Sequence, residues 1–126
     1  MNKILIVDDH AMVRLLIRLA LGESVQVLEA EDGVSALEMV RKERPDLVVL
    51  DIMMPGELDG LQVLDAIRQD ETLMATPVIM VSARGQARDK TLGMNHGADA
   101  YFTKPFSPMQ LSSTIHDTLA SRAQPH

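Results

Sequence analysis

Cysteine and tryptophan are absent from this 126-residue chain, and its only aromatic residues are Tyr101, Phe102 and Phe106. Without cysteine there is no thiol catalysis and no Cys-ligated zinc. So few aromatics leave no stacking platform for bases or sugars. Positive charge is also scarce: 12 basic residues face 18 acidic ones, a net charge of −6. With no basic stripe, nucleic acid binding through this domain is not expected. No apolar run approaches the ~20 residues of a membrane span. Met1-Asn2-Lys3 leads straight into an apolar segment without a signal-peptide core. No membrane partner and a cytoplasmic location are therefore expected. The histidines, His10, His96, His116 and His126, show no HExxH or other ligand spacing and read as surface or cap residues. Neither the GxxxxGK(S/T) loop nor the GxGxxG fingerprint occurs, which removes the common nucleotide enzymes.

The chain does contain alternating apolar runs and amphipathic stretches, enough for one domain over residues 1–126 with a real core. The most informative run is Leu47-Val48-Val49-Leu50-Asp51, followed by Ile52-Met53-Met54-Pro55-Gly56. An aliphatic run without polar alternation fits a strand covered on both faces, as inside a parallel sheet. Pro55 and Gly56 stop it, so Asp51 belongs at the strand's carboxyl end, where open parallel sheets bind ligands. Further strands are read at Lys3–Val7, Val25–Ala30, Pro77–Val81 with Ser82 at its end, and Ala100–Thr103.

Helical spacing fills the gaps. The first helix runs from His10 to Leu21, with its apolar stripe at Met12, Leu15, Leu16 and Leu19, widened by Val13, Ile17 and Ala20. Gly33, Ala36, Leu37 and Val40 mark a second, ending at Pro45. Leu61, Leu64 and Ile67 mark a third, begun near Asp59-Gly60. Residues 84–95 form a polar fourth helix with Leu92 as its apolar anchor, and Gly97 suits the left-handed position beyond it. Leu111, Ile115 and Leu119 mark a fifth, opened at Ser107 or Pro108. Nine methionines are taken as core filler in preference to the other reading, a softened partner-binding surface. Five βα units imply an α/β fold with a parallel sheet, right-handed crossovers and helices on both faces.

A parallel sheet brings its carboxyl ends to one edge: Asp8 and Asp9 from the first strand, Asp51 from the third, Ser82 from the fourth, Lys104 from the fifth. Each alone has an ordinary explanation as a cap, a turn hydroxyl or a solvated charge. Together they form a constellation. Carboxylates ~4 Å apart repel by roughly 4 kcal/mol at an effective dielectric near 20, which pushes one carboxyl toward protonation unless cations intervene. Lys104 supplies one charge, and an all-oxygen donor set points to Mg²⁺ for another. A carboxylate beside Mg²⁺, an ammonium and a hydroxyl is a template for phosphoryl transfer.

With Asp8-Asp9, Asp51, Met54-Pro55-Gly56, Asp59-Gly60, Ser82-Ala83, Gly97-Ala98-Asp99 and Lys104-Pro105-Phe106, the chain closely resembles receiver domains of bacterial two-component response regulators, such as the chemotaxis receivers. The resemblance covers nearly the whole length. It implies a flavodoxin-like, doubly wound five-stranded sheet of order 2-1-3-4-5. Asp51 would accept a phosphoryl group from a phosphohistidine on a sensor histidine kinase or histidine phosphotransfer protein. Asp9, Asp51 and the backbone carbonyl of Met53 would bind Mg²⁺, with Asp8 acting partly through water. Lys104 would pair with the phosphoryl group, Ser82 would swing to hydrogen-bond it, and Tyr101 would turn inward into the vacated space.

The resemblance also implies a cis Lys104-Pro105 bond and phosphate-lifetime tuning by Met53 and Arg84. Glu57 and Leu58 make the loop after Asp51 one residue longer than the commonest pattern. The fourth helix, fifth strand and fifth helix, roughly residues 84–119, would present the surface that regulates a downstream protein or effector domain, or that supports a phosphorylation-dependent dimer. Such a domain assists its own phosphorylation and dephosphorylation without being an enzyme on a separate substrate. The sequence ends directly after its last helix, and it is read as a stand-alone receiver in preference to a fragment cut before an effector domain such as a DNA-binding one. Two rivals remain: a small Mg²⁺-dependent phosphatase, and a degenerate receiver acting only as an interaction module. The first lacks a DxDxT-type nucleophile motif. The second sits poorly with all five site residues being present.

Overall fold

In a computed structural model, residues 1–83 and 87–123 are described, the side chains of 87–90 and 122–123 excepted. Five strands, β1 (Asn2–Val7), β2 (Val25–Ala30), β3 (Leu47–Asp51), β4 (Val78–Ser82) and β5 (Ala100–Thr103), form one sheet in the order β2-β1-β3-β4-β5. All pairings are parallel. Five helices connect and flank the strands: α1 (Ala11–Leu21), α2 (Gly33–Glu43), α3 (Gly60–Gln69), α4 (Ala87–Asn95) and α5 (Pro108–Ala123). A single 3₁₀ turn, Gly22–Ser24, joins α1 to β2. The expected α/β architecture and strand order are present.

The unbroken aliphatic strands follow from burial on two faces. Leu5, Val7, Val48, Leu50, Val78 and Met80 pack with Ala36, Val40, Leu64 and Ile67 of α2 and α3. The alternate residues Ile4, Ile6, Val49, Ile79 and Val81 pack with Ile17 of α1 and Leu111 and Ile115 of α5. Neither face reaches water, so neither set can be polar. Asp59 caps α3 in a reciprocal capping box with Gln62. Gly60 allows α3 to begin against the end of β3: a Cβ there would lie 2.1 Å from the Asp51 carbonyl oxygen. Gly97, at φ 102°, ends α4 as expected.

Three expectations are corrected. The stripe Met12, Leu15, Leu16 and Leu19 faces outward, 45–67% exposed, whereas Ile17 and Leu21 bury against the sheet with Val13 beside them. α1 is apolar on two sides, and the denser side is not the one that packs. Leu92 is 39% exposed and is not a buried anchor; among the described side-chain positions of α4, residues 91–95, the buried one is its neighbour Gly93. Finally, of the nine methionines only Met80 is fully buried, and Met1, Met12, Met53, Met74, Met94 and Met109 are exposed. Arg14 and Arg18, on the polar side of α1, both pair with Glu29 of β2. Burial alone would raise the Glu29 pKa, but these two guanidiniums bring it below the ordinary value.

Candidate functional site

The carboxyl edge of the sheet carries the chemistry. Asp8 follows β1, Asp51 ends β3, Ser82 ends β4 and Lys104 follows β5. Parallel register sets their spacing, because Val7 lies beside Leu50, Asp51 beside Val81, and Ser82 beside Thr103. The Lys104 amide then donates to the Ser82 carbonyl at 2.8 Å, which aims the lysine back across the sheet. Its Nζ reaches Asp8 Oδ2 at 2.7 Å and Asp51 Oδ2 at 3.2 Å. The Lys104-Pro105 bond is cis.

Local turns hold the carboxylates. Asp8 Oδ1 accepts the His10 amide at 2.9 Å, and Asp51 Oδ1 accepts the Met53 amide at 3.2 Å. Arg14 Nη1 donates to the Asp8 carbonyl at 2.6 Å, tying α1 to the same edge. Asp8, Asp51 and Ser82 are buried at 0–3% exposure. Asp9 is more open, yet its Oδ1 is buried without a hydrogen-bond partner. The nearby His10 Nδ1, at 3.2 Å, does not make that hydrogen bond, which leaves the oxygen open to a ligand.

Charge balance is incomplete in this cluster. Burial, and then the neighbouring Asp8 charge, push the Asp51 carboxyl above its ordinary range despite the opposing Lys104 ammonium. Burial alone would lower the Lys104 pKa, but its hydrogen bond to Asp8 and the charges of Asp51 and Asp8 raise it overall. A further cation would relieve the excess negative charge. Asp8, Asp9, His10 and Asp51 each offer a ligand atom, all within 4.8 Å of one another. With carboxylates as its main donors, this cluster could hold a metal ion. A cleft of about 520 Å³ adjoins it through Asp9, and Glu31, Asp32 and Glu57 make the cleft acidic.

A pH dependence follows. An Asp51 pKa above its unfolded value means that this group's stabilisation is fully present below the unfolded value. It is lost as pH rises through the folded value. In metal-free buffer at neutral pH, Asp51→Asn is therefore expected to unfold at a higher temperature than the native chain. That gap should close as pH falls toward the ordinary carboxylate range. Thermal unfolding of both proteins across pH 4 to 8 reads it, and a gap that widens with acid would contradict the assignment.

The other expected residues fall in distinct places. Met53 is half exposed at the mouth of the site. Tyr101 is half-buried on the α2 and α3 face of the sheet. Arg84 and His126 lie outside the described residues. Gly97-Ala98-Asp99 is at the opposite edge and is structural: Gly97 O accepts Arg68 Nε at 3.0 Å, and Asp99 Oδ2 accepts the Val78 amide at 2.8 Å. The extra loop residue is accommodated by Leu58, which packs over Gly33 at the start of α2; a Cβ on Gly33 would meet the Leu58 carbonyl oxygen at 2.5 Å. His10 is a site neighbour that sequence reasoning missed, with Nδ1 at 3.2 Å from Asp9 Oδ1 and 3.3 Å from Asp8 Oδ1. Its position directly after the paired aspartates was the available signal.

The pattern of the family described as "Response regulator receiver domain" matches residues 4–116. "Alkaline phosphatase synthesis transcriptional regulatory protein PhoP" of Bacillus subtilis is 41% identical over 115 residues, which are 90% of this chain and 47% of that protein. This chain spans about half the length of the curated relatives it matches. Among solved structures, a putative response regulator from Chloroflexus aurantiacus aligns with TM-score 0.88 at 33% identity, covering 94% of this chain and 98% of that one. The phosphorylated cyanobacterial phytochrome response regulator RcpA aligns with TM-score 0.85 at 30% identity, covering 98% and 96%.

Proposed function

Since this chain belongs to the response regulator receiver domain family, we propose that it is a phosphorylation-dependent switch whose phosphoacceptor is Asp51. The observation that carries this reading is the Lys104 ammonium held within 3.2 Å of both Asp8 and Asp51 on neighbouring strand tips, with the Ser82 hydroxyl at the end of the next strand. A phosphoryl group on Asp51 would enter a site already furnished with an opposite charge.

In the transfer, an Asp51 carboxylate oxygen attacks the phosphorus of a phosphohistidine. The new P–O bond forms as the P–N bond breaks, and the imidazole leaves as a neutral ring once protonated. Asp9, Asp51 and the Met53 carbonyl, with Asp8 behind them, would hold Mg²⁺. When bound, it would neutralise charge on the phosphoryl oxygens. Lys104 holds the carboxylate in place beforehand and pairs with the phosphoryl group afterwards. Ser82 donates its hydroxyl to a second phosphoryl oxygen. Met53, half exposed at the mouth, governs access of water to the acyl phosphate.

A protein phosphodonor is favoured over a small substrate. The exposed seam Met12, Leu15, Leu16 and Leu19 starts at the end of α1 that follows Asp8 and Asp9, and a contiguous apolar surface beside a reactive group suits a partner chain. Phosphorylation adds charge and acceptor oxygens to Asp51. The responding surface would be α4, β5 and α5, where few of the described side chains of α4, residues 91–95, are buried against the sheet. Shifting such an equilibrium from 1:99 to 99:1 takes about 5.5 kcal/mol, within reach of a few charge-assisted hydrogen bonds.

Incubating the chain with a small acyl-phosphate donor is expected to yield a Mg²⁺-dependent acyl phosphate. Chelation should reduce labelling to background, and Mg²⁺ should restore it. Labelling that is indifferent to chelator would overturn the metal-assisted mechanism. Repeated turnover of phosphomonoesters would favour a phosphatase instead.

A further inference from the structure

Among the described side-chain positions of α4, residues 91–95, Gly93 alone is buried, and its neighbours Leu92 and Met94 are 39% and 41% exposed. Over these residues the helix thus meets the body of the protein at a position without a side chain. Glycine is a poor helix former, so one inside a helix calls for a packing reason. Tyr101 of β5 provides it. A Cβ on Gly93 would lie 3.2 Å from Cδ2 and 3.5 Å from Cε2 of the Tyr101 ring, and 3.8 Å from Cγ of Met80. Carbon atoms pack best at about 3.5–4.0 Å, so an added methyl would press on the ring.

We propose that Gly93 is a positioning residue of the switch: its missing side chain makes the seat in which the Tyr101 ring rests against α4. This rests on the reading that Tyr101 responds to the phosphoryl group on Asp51, and it adds what sets the resting position. The ring is the part able to yield. Met80 behind it is fully buried in the close-packed core. The carboxyl end of α4 is fastened to α3: Arg68 Nε donates to the Gly97 carbonyl at 3.0 Å, and His96 Nδ1 lies 2.5 Å from Asp65 Oδ1. The ring is half-buried rather than enclosed, and its side chain has alternative staggered rotamers to move toward. Filling the seat therefore makes the ring give by a few tenths of an ångström, which biases it away from the resting position and couples ring and helix through this contact.

The experiment uses Gly93→Ala with Thr91→Ala as control. Thr91 is exposed on the same helix, so its replacement improves helix propensity without touching the ring. Tyr101 is the chain's only tyrosine, and a fluorinated tyrosine therefore reports this ring alone by NMR. In the unphosphorylated Gly93→Ala protein the signal should lie displaced toward its position in the phosphorylated native chain. The ratio of displaced to seated ring should rise on the order of fivefold. Thr91→Ala should leave the signal in place.

A Gly93→Ala signal coincident with the native one, or displaced the opposite way, overturns the proposal, as does an equal displacement in Thr91→Ala. A native signal that ignores the phosphoryl group overturns the underlying switch reading instead. If Gly93→Ala does not fold, adding Tyr101→Ala should restore folding; no restoration would also overturn the seat.

Discussion

Asp51→Asn is expected to lower labelling by an acyl-phosphate donor at least about a hundredfold, an activation difference of ~2.7 kcal/mol, while leaving the fold intact. The carboxylate is the nucleophile, and a carboxamide of the same shape has no charged oxygen to attack phosphorus. Folding should survive because Asp51 is a burden on the metal-free protein. It is almost fully buried, its pKa is raised by that burial and by Asp8, and a neutral side chain there removes the repulsion. Quantitative labelling alongside circular dichroism separates the two effects. Undiminished, acid-stable labelling of a folded Asp51→Asn protein would move the phosphoacceptor elsewhere.

Lys104→Ala should damage both stability and switching. Its ammonium is the hydrogen-bonded cation between Asp8 and Asp51, at 2.7 and 3.2 Å, and both carboxylate side chains are only 3% exposed. Breaking a buried pair costs ~3–5 kcal/mol. Solvent reaches this lysine, which reduces the expected loss to about 2 kcal/mol, a fall of roughly 6–10 °C in unfolding temperature for a domain of this size. Mg²⁺ should recover part of that loss, because a divalent cation replaces the missing charge. Once phosphorylated, the variant should show little coupling to Tyr101. An unfolding temperature equal to the native one in metal-free buffer would mean that the lysine is not engaged in solution.

The fold was legible because two physical signals agree along the chain. Doubly buried strands read as continuous aliphatic runs, and α2, α3 and α5 each carry an apolar stripe that does face the sheet, Leu61 being only partly buried. The strand-end constellation was legible for a related reason: parallel strands place their ends on one edge whatever their order. α1 defeated the same logic. It is apolar on two sides, and periodicity gives the angle between stripes without saying which one meets the sheet. Leu92 misled because an anchor is sought among large side chains, whereas the buried position among the described residues 91–95 of α4 is a glycine whose partner ring comes from β5. That contact is tertiary, and its local trace is only a glycine inside the helix, which does not say what packs there.

Gly60 and Leu58 show how much of the site is shape. One lets α3 start against the backbone of Asp51, and the other lets a longer loop close over α2. Both are visible in sequence as residue types, but the close approach that requires them appears only in three dimensions. His10 was passed over because histidine ligands are sought by spacing within one helix. Here the second and third members of the cluster are simply its neighbours in the chain, and the fourth arrives from β3.

The most direct test is residue-resolved mass spectrometry of the native chain after brief exposure to acyl phosphate and Mg²⁺. One phosphoryl group per chain, located on Asp51, is the predicted result. A phosphoryl group on Asp8, Asp9 or a histidine, with Asp51 unmodified, would contradict it.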